Sequence, residues 1–107
     1  MERKNPSPIS TAQIFCMQMY AIRKNAGSTE RFVTEDRADR ELASFTQKCM
    51  REKLAEARKK QKQGWWNPQE CSIEHLHTLL AEAVSKGEMI NIINYAAMIH
   101  ARQIMSD

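Results

Sequence analysis

The stretch from Glu88 to Met105 most constrains what this chain can fold into. Met89, Ile90, Ile92, Ile93, Tyr95, Ala96, Ala97, Met98 and Ile99 place apolar side chains on most sides of one helix. A helix so apolar has to be buried among several neighbours, and four helices alone would struggle to cover it, so self-association through it is expected. Only Gly87 separates it from the preceding helix, which Ser72 caps and which carries Glu74 in its first turn. Ile73, Leu76, Leu80, Ala83 and Val84 supply that helix with an apolar stripe. So short a link implies an antiparallel helical hairpin.

Two more helices are predicted upstream. Ser10 or Thr11 can cap the first, in which Ile14, Phe15, Met17, Met19, Tyr20 and Ile22 form a broad apolar surface. It should fade near Asn25 and stop at Gly27, a residue suited to the left-handed conformation after a helix end. Thr34 then offers a cap, with Glu35 and Asp36 in the first turn. Ala38, Leu42, Phe45, Cys49, Leu54 and Ala57 keep one stripe at helical spacing to about Gln61, before Gly64. Residues 1–9, with Pro6 and Pro8, read as a flexible lead-in. The expectation is an all-α fold of four helices in a single domain over 10–107, with 10–27 as an extra N-terminal helix. Only three glycines and three prolines, against seven methionines, favour such long helices over a turn-rich β fold.

Several classes are set aside. No stretch approaches the ~18 apolar residues of a membrane span, and the N-terminus lacks a signal-peptide apolar run. Cys16, Cys49 and Cys71 form no CxxC pair and suggest reduced thiols, so a cytoplasmic location is expected. Neither a glycine-rich phosphate loop, a Gly-x-Ser-x-Gly elbow nor a His-Glu-x-x-His occurs. The formal charge of +3 mildly favours an anionic partner.

The candidate chemistry is scattered. Arg58, Lys59, Lys60 and Lys62 are either a solvated helix end complementing the dipole or a phosphate or nucleic-acid contact. Trp65 and Trp66 are adjacent and cannot both face a core, so at least one lies at a surface or cleft; either one seals the helix ends over the core, or one stacks on a base or lines a ligand pocket. His75 and His77 are two apart on a helix and cannot share a metal; Glu74 and His77 have ligand spacing but no partner carboxylate cluster. His100 reads as an interior or interface histidine. Asn91 and Asn94 share a helix face and need partners, either across the hairpin or as the floor of a polar pocket.

One resemblance ties these features together. Phe45-Thr46, Met50-Arg51-Glu52-Lys53-Leu54, Ala57-Arg58-Lys59-Lys60, Gly64-Trp65, Cys71-Ser72, Leu79-Leu80, Gly87 and the run from Asn91 to Ile99 stand in a familiar order. Over residues 42–105 the chain resembles a phage and prophage family of dATP/dGTP pyrophosphohydrolase-like proteins, within the all-α MazG-type group. That resemblance implies a four-helix MazG-like bundle and an oligomer. In the group, a Glu-Glu-x-x-Glu motif on one helix and a Glu/Asp-x-x-Asp on the next hold Mg²⁺ against the triphosphate, because Mg²⁺ takes hard oxygen ligands. Laid on this chain, the first motif falls on Glu82, Ala83 and Lys86, and the second on Asn91 and Asn94.

Glu82 is then the one surviving catalytic carboxylate, with Glu88 nearby as a second metal ligand. Arg58, Lys59, Lys62, Trp65, Trp66, Lys86, Asn91 and Asn94 are the implied nucleotide contacts. Three readings follow: a Mg²⁺-dependent nucleoside triphosphate pyrophosphohydrolase, a relative that binds or sequesters a nucleotide with little or no catalysis, and a helical interaction protein acting through oligomer or partner contacts. Mg²⁺ is required only by the first. Nucleic acid and membrane are not among the expected partners.

Overall fold

The structure is a computed structural model that describes residues 9–105. The lead-in assigned to 1–9 lies outside the described residues except for Ile9. Among them the chain is all-helical: α1 (Thr11–Asn25), a 3-10 turn (Ala26–Ser28), α2 (Arg31–Lys59), α3 (Ile73–Lys86) and α4 (Met89–Met105). The chain divides into two compact units, one ending at Lys48 and one starting at Cys49, so the boundary falls inside α2.

In the first unit, Ser10 caps α1 by a reciprocal box: its hydroxyl accepts from the Gln13 amide, and the Gln13 side chain accepts from the Ser10 amide. The Phe15 and Phe45 rings stack with centroids 4.4 Å apart. Two expectations are corrected here. Gly27 lies within the 3-10 turn and has no left-handed φ; the Asn25 side chain instead donates back to the Ala21 carbonyl. Thr34 is not the cap of α2, because the helix starts three residues earlier; its amide and hydroxyl both bond the Glu30 carbonyl.

The second unit holds the hairpin. The Ser72 hydroxyl accepts from the His75 amide, as a cap should. Gly87 closes α3 at φ 68°: its amide bonds the Val84 carbonyl, and the Glu88 amide bonds Ala83, which is a Schellman motif. α3 and α4 pack against each other, burying Leu76, Ala83 and Ile99. Val84, assigned to the apolar stripe, is exposed instead.

The end of α2 falls short of the expected Gln61 by two residues. The Gln61 amide bonds Arg58 and the Lys62 amide bonds Ala57, again a Schellman pattern, but with a glutamine at φ 60° where glycine is usual. Among the described residues no helix is long and apolar enough to cross a membrane.

Candidate functional site

Helical spacing on α2 sets up the site. Glu52 and Glu56 are one turn apart and project from the same face, with Cys49 one turn before Glu52 or Lys53. Glu88 immediately precedes α4, and its carbonyl accepts the Ile92 amide. Asn91 follows three residues later on the same side. The fold of the second unit brings these two short runs to one cleft of about 320 Å³. Cys49, Glu52, Lys53 and Glu56 line it from α2; Glu88, Met89, Ile90 and Asn91 line it from the start of α4.

Three carboxylates face this cleft against one ammonium, so its field is acidic. None of them is spent in an ion pair: among the described residues the pairs are Arg31–Glu35 and Arg40–Asp36, both in the first unit. The first-turn amides of α4, which have no intrahelical carbonyl to bond, add a positive edge at the opposite wall.

Behind the cleft, Asn94 is buried, and its amide nitrogen donates to the Met50 carbonyl of α2 at 3.4 Å. Its Oδ1 is buried without a hydrogen-bond partner. Asn94 therefore ties α4 to α2, whereas Asn91 is left facing the cleft. Tyr95 stands one turn beyond Asn91. Burial pushes its phenol above the ordinary value of 10.0, and the charges of Glu88 and Glu82 push it further the same way.

The other sequence-derived residues are placed elsewhere. Glu82 and Lys86 are exposed on α3 and do not line the cleft, although the Glu82 charge reaches Tyr95. Arg58, Lys59 and Lys62 are exposed around the end of α2. Trp65 is half-buried while Trp66 is 57% exposed, which settles which of the two faces solvent. His100 is exposed, which removes the interior half of its interior-or-interface reading.

Glu52, Lys53, Glu56 and Cys49 were not singled out as site residues by the sequence reading. The Glu52-x-x-x-Glu56 spacing was visible, but on a charged helix it resembles any solvated face. Arg102 escaped as well. It is 2% exposed, and its Nη1 donates to the carbonyls of Trp65 at 2.7 Å and Cys71 at 2.8 Å, pinning the middle and the C-terminal end of the loop between α2 and α3.

A divalent cation can be tested against this geometry. The cleft offers oxygen donors, the type Mg²⁺ takes. Among the described residues, however, no three His, Cys, Asp or Glu side chains come together to hold a metal. The donors therefore suit an ion that arrives with a ligand's phosphates and keeps most of its waters, not an all-protein cage. No family model, curated protein or solved structure matches the chain.

Proposed function

We propose that this protein handles a purine deoxynucleoside triphosphate at the cleft between α2 and α4, with weak hydrolysis or none, in the manner of a degenerate dATP/dGTP pyrophosphohydrolase. The observation that carries this reading is one cleft lined by Glu52-Lys53-x-x-Glu56 from one helix and Glu88-x-x-Asn91 from another. Set beside Glu-Glu-x-x-Glu and Glu/Asp-x-x-Asp, each run departs at one position: Lys53 replaces a glutamate and Asn91 an aspartate. This register retains three carboxylates, where the register through Glu82 retains one. The MazG-like fold belongs to the same proposal.

The chemistry follows from those residues. Glu52, Glu56 and Glu88 do not close a protein cage, so one or two of them would meet a Mg²⁺ carried in on the phosphates, which would neutralise phosphate charge and make a bound water more acidic. Lys53 and the first-turn amides of α4 would meet phosphate oxygens directly. Asn91 is neutral and can both donate and accept, so it suits positioning better than charge compensation. With two carboxylates fewer than the full motif, the cleft favours binding over turnover.

Thermal melts with dATP and dGTP test this. A nucleotide that binds the native state raises the melting temperature, by mass action. The rise should require Mg²⁺, and Glu56→Gln should abolish it while Glu82→Ala leaves most of it. Pyrophosphate release should be slow or undetectable. No shift with any nucleoside triphosphate, with or without Mg²⁺, would overturn the reading.

A second reading rests on a different observation. In the first unit Phe32 is 77% exposed and Tyr20 70%, and Met17 and Leu42 are also exposed. Large apolar side chains left in water favour a partner surface, in keeping with a homo-oligomer. Light scattering behind size exclusion decides it: a monodisperse monomer counts against the oligomer.

A further inference from the structure

The loop between α2 and α3 is built with more care than a simple connection needs. Gly64 is buried at φ 87°, and a β-carbon there would run into the Glu70 carboxylate. The Asn67 carbonyl accepts both the Glu70 and Cys71 amides, and its side chain accepts the Gln69 amide. Arg102 then fixes the loop at its middle and near its C-terminal end through the Trp65 and Cys71 carbonyls. The result is a rigid turn that half-buries Trp65 and leaves the next residue, Trp66, 57% exposed. An indole held out on an ordered loop has already lost its freedom, so a ligand that stacks on it meets a small entropic cost.

Electrostatics give that indole a partner. Arg58, Lys59, Lys60 and Lys62 are all exposed and none is in an ion pair among the described residues; no acidic residue lies between Ala57 and Asn67 in sequence, and the Glu70 carboxylate folded against Gly64 leaves the four cations in excess. Lys62 and Trp66 are four positions apart, a reach of at most about 14 Å even fully extended. A base-stacking aromatic beside a run of cations is the combination that binds single strands, whose bases are unpaired and whose phosphates follow at short intervals. A duplex hides its base faces, and an acidic protein surface offers no flat ring to the indole.

We propose that the patch formed by Arg58, Lys59, Lys60, Lys62 and Trp66 binds single-stranded nucleic acid, with one base stacked on Trp66 and the neighbouring phosphates on the cations. This site is distinct from the acidic cleft, stands whatever the fate of the nucleotide proposal, and runs against the expectation that nucleic acid is not a partner.

The test uses the whole protein and a fluorescein-labelled oligothymidylate of about twelve nucleotides, followed by anisotropy at low salt. Binding should weaken with salt at a logarithmic slope of about −2.8, four contacts at ~0.7 each for a single strand. Lys59→Ala with Lys60→Ala should halve that slope. Trp66→Ala should weaken binding about tenfold, and Trp66→Phe, which keeps a ring face, should recover most of it. Trp66 is exposed, so circular dichroism should show both variants folded. The proposal is overturned by no binding at low salt, or by Trp66→Ala binding as the wild type does. It is equally overturned if dTTP or anionic phosphatidylserine vesicles compete as well as unlabelled oligothymidylate at equal phosphate.

Discussion

Up to Lys48, the described chain buries one large side chain, Ile22, and leaves Ile14, Met17, Tyr20, Phe32, Val33 and Leu42 exposed. From Cys49 onward, Leu76, Ala83 and Ile99 form a core that two buried polar residues, Asn94 and Arg102, tie to neighbouring backbone. Both stretches have helical periodicity and good caps. What separates them is closure: in the second unit a buried guanidinium satisfies loop carbonyls and an amide links α4 to α2. In the first, the Phe15–Phe45 stack and the buried Ile22 have no such polar ties beside them among the described residues. Periodicity makes helices, but a self-sufficient unit also needs partners for what its loops expose.

The contrast can be broken most forcefully at Arg102. Arg102→Ala leaves the Trp65 and Cys71 carbonyls without their donor inside the unit and should cost about 3 kcal/mol or more in urea unfolding. Arg23→Ala, an exposed arginine of the first unit, should stay within about 0.5 kcal/mol. Next comes Leu76→Ala, expected to cost about 2–5 kcal/mol because it opens a cavity in a closed core. Ile22→Ala should cost less than about 2 kcal/mol, since its surroundings can relax into the space. Equal losses would erase the distinction between the two units.

A finer comparison lies within the second unit, between two helix ends of the same design. Gly87 adopts φ 68° freely, whereas Gln61 holds φ 60° against its own β-carbon. Gln61→Gly should therefore raise stability by up to about 1 kcal/mol, and Gly87→Ala should lower it by a similar amount. The smallest effect concerns pH. The Tyr95 phenol is raised in the folded state by burial, Glu88 and Glu82. Its contribution is whole below the unfolded value near 10 and is lost as pH rises through the higher folded one. Stability should thus fall modestly above pH 10, and Tyr95→Phe should flatten that part of the profile.

Sequence patterning disclosed the helices well where local chemistry ends them. Ser72 and Gly87 bound α3 because a hydroxyl cap and a left-handed glycine are written in the residue types. The end of α2 was hidden, since nothing about Gln61 announces a positive φ. Thr34 looked like a cap only because the earlier start at Arg31 carries no capping signature. The cleft was half legible. Asn91 and Glu88 drew attention, but their partners Glu52 and Glu56 lie more than thirty residues away, and only the fold of the second unit brings them to one cleft. Arg102 was illegible for a related reason: near a helix C-terminus an arginine suggests dipole compensation, not a buried tie to a distant loop.

The central proposal, a nucleotide held at the α2–α4 cleft, is tested most directly by where a paramagnetic ion goes. Amide resonances of the whole protein would be followed as Mn²⁺ is added in place of Mg²⁺ with dGTP present. The expected result is broadening centred on residues 49–56 and 88–91 that disappears in Glu52→Gln, Glu56→Gln. Broadening that spares residues 52–56, or none at all with dGTP present, would contradict it.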